Sequence, residues 1–221
     1  MPNKKFAVIG GTTYDTRLGC HLLKELGVDA IRKSLKENAI EQNNLQLHQN
    51  VEDYIINEIE NLKHQHLITH VVIYCVSISG LINHTKIENL TGVILITAYT
   101  SISNRLEKMS KIGVIAANDL SADNFEKHIL KFNENCIVLK KTEINIVNDI
   151  EHNINPDKII KKHEIDRFID NLVKNKVKNL VLGCTHFSYL LDELYQFDKI
   201  KILDVKSFII NELRSTHLRY D

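Results

Sequence analysis

The sequence predicts an α/β fold built on parallel sheet, and three observations carry that reading. Short apolar runs recur along the 221 residues, at 5–10, 70–75, 92–97, 112–117, 135–140, 179–184 and 199–204. These runs are rich in Val and Ile and apolar nearly throughout, as strands are when both faces of a parallel sheet are covered. Longer amphipathic stretches separate them, giving the alternation of strand and helix that marks an α/β architecture.

Each element follows in order from its residues. The run KFAVIG (5–10) reads as a first strand. A helix is expected to begin near Thr16, where Asp15 is placed to cap it. The stretch ENAIEQNNLQLHQN (37–50) reads as polar loop. In VEDYIINEIENLK (51–63), Val51, Ile55, Ile59 and Leu62 recur at helical spacing. His64, His66 and His70 follow; no carboxylate or cysteine stands nearby at ligand spacing, so a solvated helix end with His70 opening a strand is the reading. Further on, Ile165, Phe168, Ile169 and Leu172 mark a second long helix over 159–175. The remaining apolar runs are the later strands.

Composition sets limits on function. Hydrophobic residues make up 43% and charged residues 25%, the balance of a soluble globular protein with a core. Lys plus Arg and Asp plus Glu are equal at 28 each, so no basic face for nucleic acid or an anionic membrane is implied. No apolar run approaches the ~20 residues that span a bilayer. The N-terminal apolar stretch is too short for a secretory signal, which places the protein in the cytoplasm. No G-x-G-x-x-G follows the first strand and no G-x-x-x-x-G-K-[ST] occurs, so neither NAD nor ATP is indicated.

The four cysteines, Cys20, Cys75, Cys136 and Cys184, form no C-x-x-C pair and read singly. Cys20 and Cys136 read as buried core residues. Cys75 closes the run HVVIYC and Cys184 closes NLVLGC, and ligands of open α/β sheets bind beyond such carboxyl ends. Hydroxyl residues follow both, Ser77 and Ser79 in one case and Thr185 in the other. The N–H groups at a helix start favour an anion, either a thiolate or a bound carboxylate. Two thiols flanking one carbon suit racemisation without a cofactor: one removes the α-proton and the other delivers a proton to the opposite face. The carboxylate must then be held by donors that stabilise the developing carbanion.

Four segments also resemble the aspartate/glutamate racemase superfamily. LGCTHF (182–187) is similar to its second-cysteine motif, and IYCVSISG (73–80) sits where the first cysteine is carried. VIGGTTYDTRLG (8–19) resembles the first strand and substrate loop of the aspartate-racemase branch, and IGVIAANDLSADNFEKHI (112–129) the opening of the second lobe. The resemblance implies two pseudo-symmetric, three-layer α/β lobes with mainly parallel sheets and an active site in the cleft between them. The first lobe would take residues 1–97 and 207–221, and the second 98–206. It implies Cys75 and Cys184 as acid/base thiols. Gly11, Thr12, Asp15, Thr16, Ser77, Thr185 and His186 would contact substrate, with His186 also able to tune Cys184. It further implies no PLP, metal or nucleotide cofactor, and a homodimer acting on aspartate or glutamate.

One position departs from the pattern. Where the family usually has Asn after the first cysteine, this chain has Val76, which donates nothing. Other superfamily activities therefore compete with racemisation of an acidic amino acid: dicarboxylate cis–trans isomerisation, hydantoin racemisation and decarboxylation. A non-catalytic carboxylate-binding protein is the reading from outside enzymology.

Overall fold

A computed structural model of the chain describes residues 4–48, 50–100, 102 and 109–218. The chain divides into two compact units, 1–100 with 209–221 and 101–208, where the sequence placed the boundaries at 97/98 and 206/207.

In the first unit, β1 (Phe6–Gly10) leads into α1 (Thr13–Glu25), followed by β2 (Ala30–Ser34), α2 (Ala39–His48), α3 (Val51–His66) and β3 (His70–Tyr74). Then come α4 (Val76–Ser79), α5 (His84–Thr91) and β4 (Ile94–Thr97). The strands are all parallel, in the order β2-β1-β3-β4, with Phe6 opposite His70 and Gly10 opposite Tyr74. The face of α3 that periodicity predicted, Val51, Ile55, Ile59 and Leu62, is buried in one cluster with Ala7, Ile9, Val71 and Ile73 of the central strands. Each such aliphatic side chain contributes about 1.5–3 kcal/mol on full burial.

The second unit has β5 (Lys111–Ala116), α6 (Asp119–Phe132), β6 (Ile137–Thr142), α7 (Ile144–Glu151), α8 (Pro156–Lys162), α9 (Ile165–Lys174) and β7 (Asn179–Leu182). A 3-10 helix (Thr185–Leu190), α10 (Leu191–Leu194), β8 (Lys201–Asp204) and α11 (Val205–Leu218) complete the chain, and the division between units falls within α11. Its sheet is again all parallel, in the order β6-β5-β7-β8. Gly113 of β5 lets α9 approach closely: a Cβ there would meet Leu172 Cδ1 at 2.5 Å.

Three expectations are corrected. The strand β2 was not foreseen, because AIRKS carries two cations and sits half-exposed at a sheet edge. Residues 37–50 are not simply loop: α2 forms there, with Asn38 Oδ1 accepting from Glu41 N at 3.0 Å and with Gln42 and Leu45 buried one turn apart. The helix expected over 159–175 is two helices. Glu164 stands between them in the left-handed region at φ 52°, next to His163, which is turned inward onto Asp149. His64 and His66 are exposed at the end of α3, while His70 opens β3, buried and stacked on Phe6 at 4.6 Å. Among the described residues, no helix is long and apolar enough to cross a membrane.

Candidate functional site

Each unit places a cysteine at the same topological position. In the first, the chain runs from β1 outward to β2 on one side and returns to β3 on the other, so the strand order reverses between β1 and β3. Ligands of doubly wound sheets bind beyond the carboxyl ends of the two strands at such a switch. Cys75 is the residue after β3, and Gly11 the residue after β1. In the second unit the switch lies between β5 and β7, and Cys184 comes two residues after β7.

Both cysteines are N-cap residues with extended backbones, Cys75 at φ −161° before α4 and Cys184 at φ −148° before the 3-10 helix. Neither side chain makes a capping hydrogen bond. The helices that follow have four and six residues, so what they offer is first-turn N–H groups rather than a long dipole. Both thiols are buried, 5% exposed for Cys75 and 8% for Cys184.

In the first unit, Gly11, Thr12, Asp15, Thr16, Cys75 and Ser77 are brought to one end of the sheet. A Cβ on Gly11 would lie 2.7 Å from Cys75 Sγ and 3.2 Å from Asp15 Oδ2, so glycine at 11 leaves room for the sulfur. The α1 helix starts earlier than expected, at Thr13, and its N-cap is Thr12. Asp15 is therefore not the cap but the third residue of a capping box. Its N donates to Thr12 Oγ1 at 3.2 Å, and its Oδ2 accepts from Thr12 N at 3.3 Å. The Thr16 hydroxyl lies 2.8 Å from Thr12 O, 3.3 Å from Lys33 O and 2.9 Å from Ser34 Oγ, and so holds α1 to β2. Ser77 is 8% exposed on α4, one residue beyond Val76, which is itself buried at 1%. Burial first, and then the charge of Cys75, push the Tyr99 phenol well above its usual range.

In the second unit, Cys184, Thr185 and His186 are consecutive and buried. His186 Nδ1 lies 3.7 Å from Cys184 Sγ, and its Nε2 lies 3.0 Å from Glu151 Oε1 at the end of α7. With the carboxylate accepting from Nε2–H, Nδ1 is left to exchange a proton with the thiol. Ser188, farther along the 3-10 helix, donates to Asp204 Oδ1 at 2.8 Å, and burial pushes that carboxyl upward.

Sequence reasoning missed two residues of these clusters. Glu151 lies 35 residues from His186, and nothing local to either links them. Gln42 sits on the unforeseen α2, with Nε2 3.7 Å from Cys75 Sγ. The other two cysteines are buried and free, 7% exposed for Cys20 and 6% for Cys136, and burial raises both thiols.

No protein-family profile matches the chain. It is 27% identical over 162 residues to glutamate racemase 1 of Caldanaerobacter subterraneus subsp. tengcongensis, a match spanning 71% of this chain and 59% of that protein. Among solved structures it is similar to glutamate racemase from Francisella tularensis in complex with D-glutamate. That superposition has a TM-score of 0.74 and 16% identity, and covers 99% of this chain and 82% of the other. An aspartate racemase homologue from Pyrococcus horikoshii matches with a TM-score of 0.66 and 13% identity, over 96% of this chain and 98% of the other. The chain has the fold of the aspartate/glutamate racemase superfamily.

Proposed function

From that fold, we propose that the chain is a cofactor-independent amino-acid racemase acting on an acidic amino acid, aspartate or glutamate, with Cys75 and Cys184 as its two acid/base thiols. The observation that carries the reading is the repeated strand order, with a cysteine at the switch point of each sheet, capping a short helix. The similarity to glutamate racemase 1 supports the same assignment.

In this reading one thiolate takes the α-proton from one face of the amino acid, and the opposing thiol returns a proton to the other. The carbanion's charge spreads into the substrate carboxylate, which the first-turn N–H groups and the hydroxyls of Ser77 and Thr185 would hold. Thr12 and Asp15 shape the loop beside Cys75. His186, backed by Glu151, moves the proton of Cys184. The working form would be a cytoplasmic homodimer.

Val76, apolar and 1% exposed where the family usually carries Asn, favours a second reading on the same fold. That reading is isomerisation of a dicarboxylate, hydantoin racemisation or decarboxylation. One experiment separates the two. The protein is incubated in deuterated buffer with L- and D-amino acids, hydantoins and dicarboxylates, and the α-proton signal is followed by NMR. Deuterium wash-in with inversion of aspartate or glutamate is expected. Turnover confined to another substrate class supports the second reading, and neither exchange nor a new product from any of them overturns both.

A further inference from the structure

Among the described residues, Cys184 has a proton partner in His186, and a side chain of another kind lies against Cys75. That group is an amide. Gln42 is 8% exposed, and its Nε2 lies 3.7 Å from Cys75 Sγ. Its Cγ lies 3.2 Å from where a Cβ on Gly11 would fall, the same point that is 2.7 Å from the Cys75 sulfur and 3.2 Å from Asp15 Oδ2. The Gln42 side chain is therefore part of the cradle made by Gly11, Asp15 and Cys75.

Two features make this placement informative. A primary amide has two N–H donors and a carbonyl acceptor, and a buried one is normally satisfied by several partners. Among the described residues, the contact with Cys75 is the only hydrogen bond of the Gln42 side chain. A glutamine over nine-tenths buried, holding only a weak bond to sulfur, keeps a donor and an acceptor for Cys75 in either protonation state. The second feature is Val76. The chain lacks an amide at the position directly after the cysteine, and has one on α2 facing the same sulfur.

We propose that Gln42 is the positioning residue of Cys75, donating through Nε2 to the thiolate and, with the amide turned over, accepting through Oε1 from the thiol. The inference rests on the racemase reading, in which Cys75 alternates between base and acid. An amide suits that alternation because it serves both protonation states without changing its own charge. A carboxylate would repel the thiolate, and an aliphatic side chain would take this donor away. Asp15, from α1, lines the same cradle, and Tyr99, after β4, is close enough for the charge of Cys75 to act on it. Both are retained in the variants below.

The test reads the thiol itself, without substrate. The full chain is labelled with carbon-13 at cysteine Cβ, the Cys75 resonance is assigned by its loss in Cys75→Ala, and its shift is followed against pH. In Gln42→Leu the Cys75 midpoint is expected to rise by about one pH unit, a tenfold smaller thiolate fraction below it, through loss of the donor. In Gln42→Glu, which keeps the shape, the midpoint rises further because the added carboxylate opposes the thiolate. The Cys184 resonance is expected to titrate unchanged in both. Should the leucine variant fail to fold, the isosteric glutamate variant decides alone. A Cys75 midpoint that does not move with Gln42 replaced overturns the proposal. A wild-type protein that exchanges no α-proton overturns the racemase reading, while this titration still reports on the Gln42–Cys75 pair.

Discussion

Glycines 10 and 11 are neighbours, yet an added methyl group would meet different structures at each. At Gly10 a Cβ would fall 2.4 Å from the backbone N of Thr16 and 2.8 Å from its Cα, so the first turn of α1 would have to shift. Gly10→Ala is expected to lower stability by about 1–3 kcal/mol, read from denaturant unfolding. At Gly11 the nearest atom is the Cys75 sulfur. Gly11→Ala is expected to unfold much like the wild type but to lose on the order of 100-fold in α-proton exchange, because the sulfur is pushed aside. Equal damage to fold and activity in both variants would remove Gly11 from the site.

Val76 makes a third residue-scale case. Its side chain is 1% exposed, so Val76→Asn buries an amide, at a cost of about 1–3 kcal/mol if nothing pairs with it. If position 76 faces the ligand, saturating aspartate or glutamate recovers much of that loss in a thermal melt, and turnover rises about ten- to a hundredfold. A melting deficit that ligand leaves untouched would mean that position 76 does not face substrate. At this scale, the residues legible in the sequence were those whose neighbours in the chain carry the chemistry, such as Cys184 with Thr185 and His186. Gln42 reaches Cys75 across 33 residues and Glu151 reaches His186 across 35, both through tertiary packing, and no spacing rule spans such distances.

Among the elements, the buried strands were legible because both faces are apolar, whereas β2 hid behind Arg32 and Lys33 at an edge. The missed break between α8 and α9 has a polar cause. Asp149 of α7, 7% exposed, accepts from His163 Nε2 at 2.7 Å and from Lys162 Nζ at 2.7 Å, and so pins the end of α8. The hydrogen bond from Lys162, then that from His163, holds the Asp149 carboxyl below the usual carboxylate range. A depressed folded value means that this stabilisation is complete above the unfolded carboxylate's pKa of about 3.9 and is lost as pH falls through the lower folded value. Asp149→Asn is expected to lower stability by about 1–3 kcal/mol near neutral pH. The gap from wild type should begin to narrow below about pH 4 and close as pH falls through the lower folded value. A gap of constant size from neutral to acid pH would show that the charge of Asp149 contributes nothing.

At the scale of the whole chain, one strand order is used twice, and each use sets a cysteine at its switch point. That repetition was legible only through the motifs, since the two units share little beyond apolar runs and a cysteine at a strand end. In the proposed mechanism two thiols serve opposite faces of one amino acid, and the position of solvent label distinguishes that from a single base. L-glutamate and L-aspartate are each incubated in deuterated buffer and sampled at low conversion, and the two enantiomers are separated before mass analysis. Two thiols predict deuterium in the inverted product while the recovered L-substrate keeps its α-proton, with the mirror result from the D-enantiomers. Deuterium entering recovered substrate as fast as product would mean that a single base works on both faces, and no deuterium in either would mean that the chain is not a racemase of acidic amino acids.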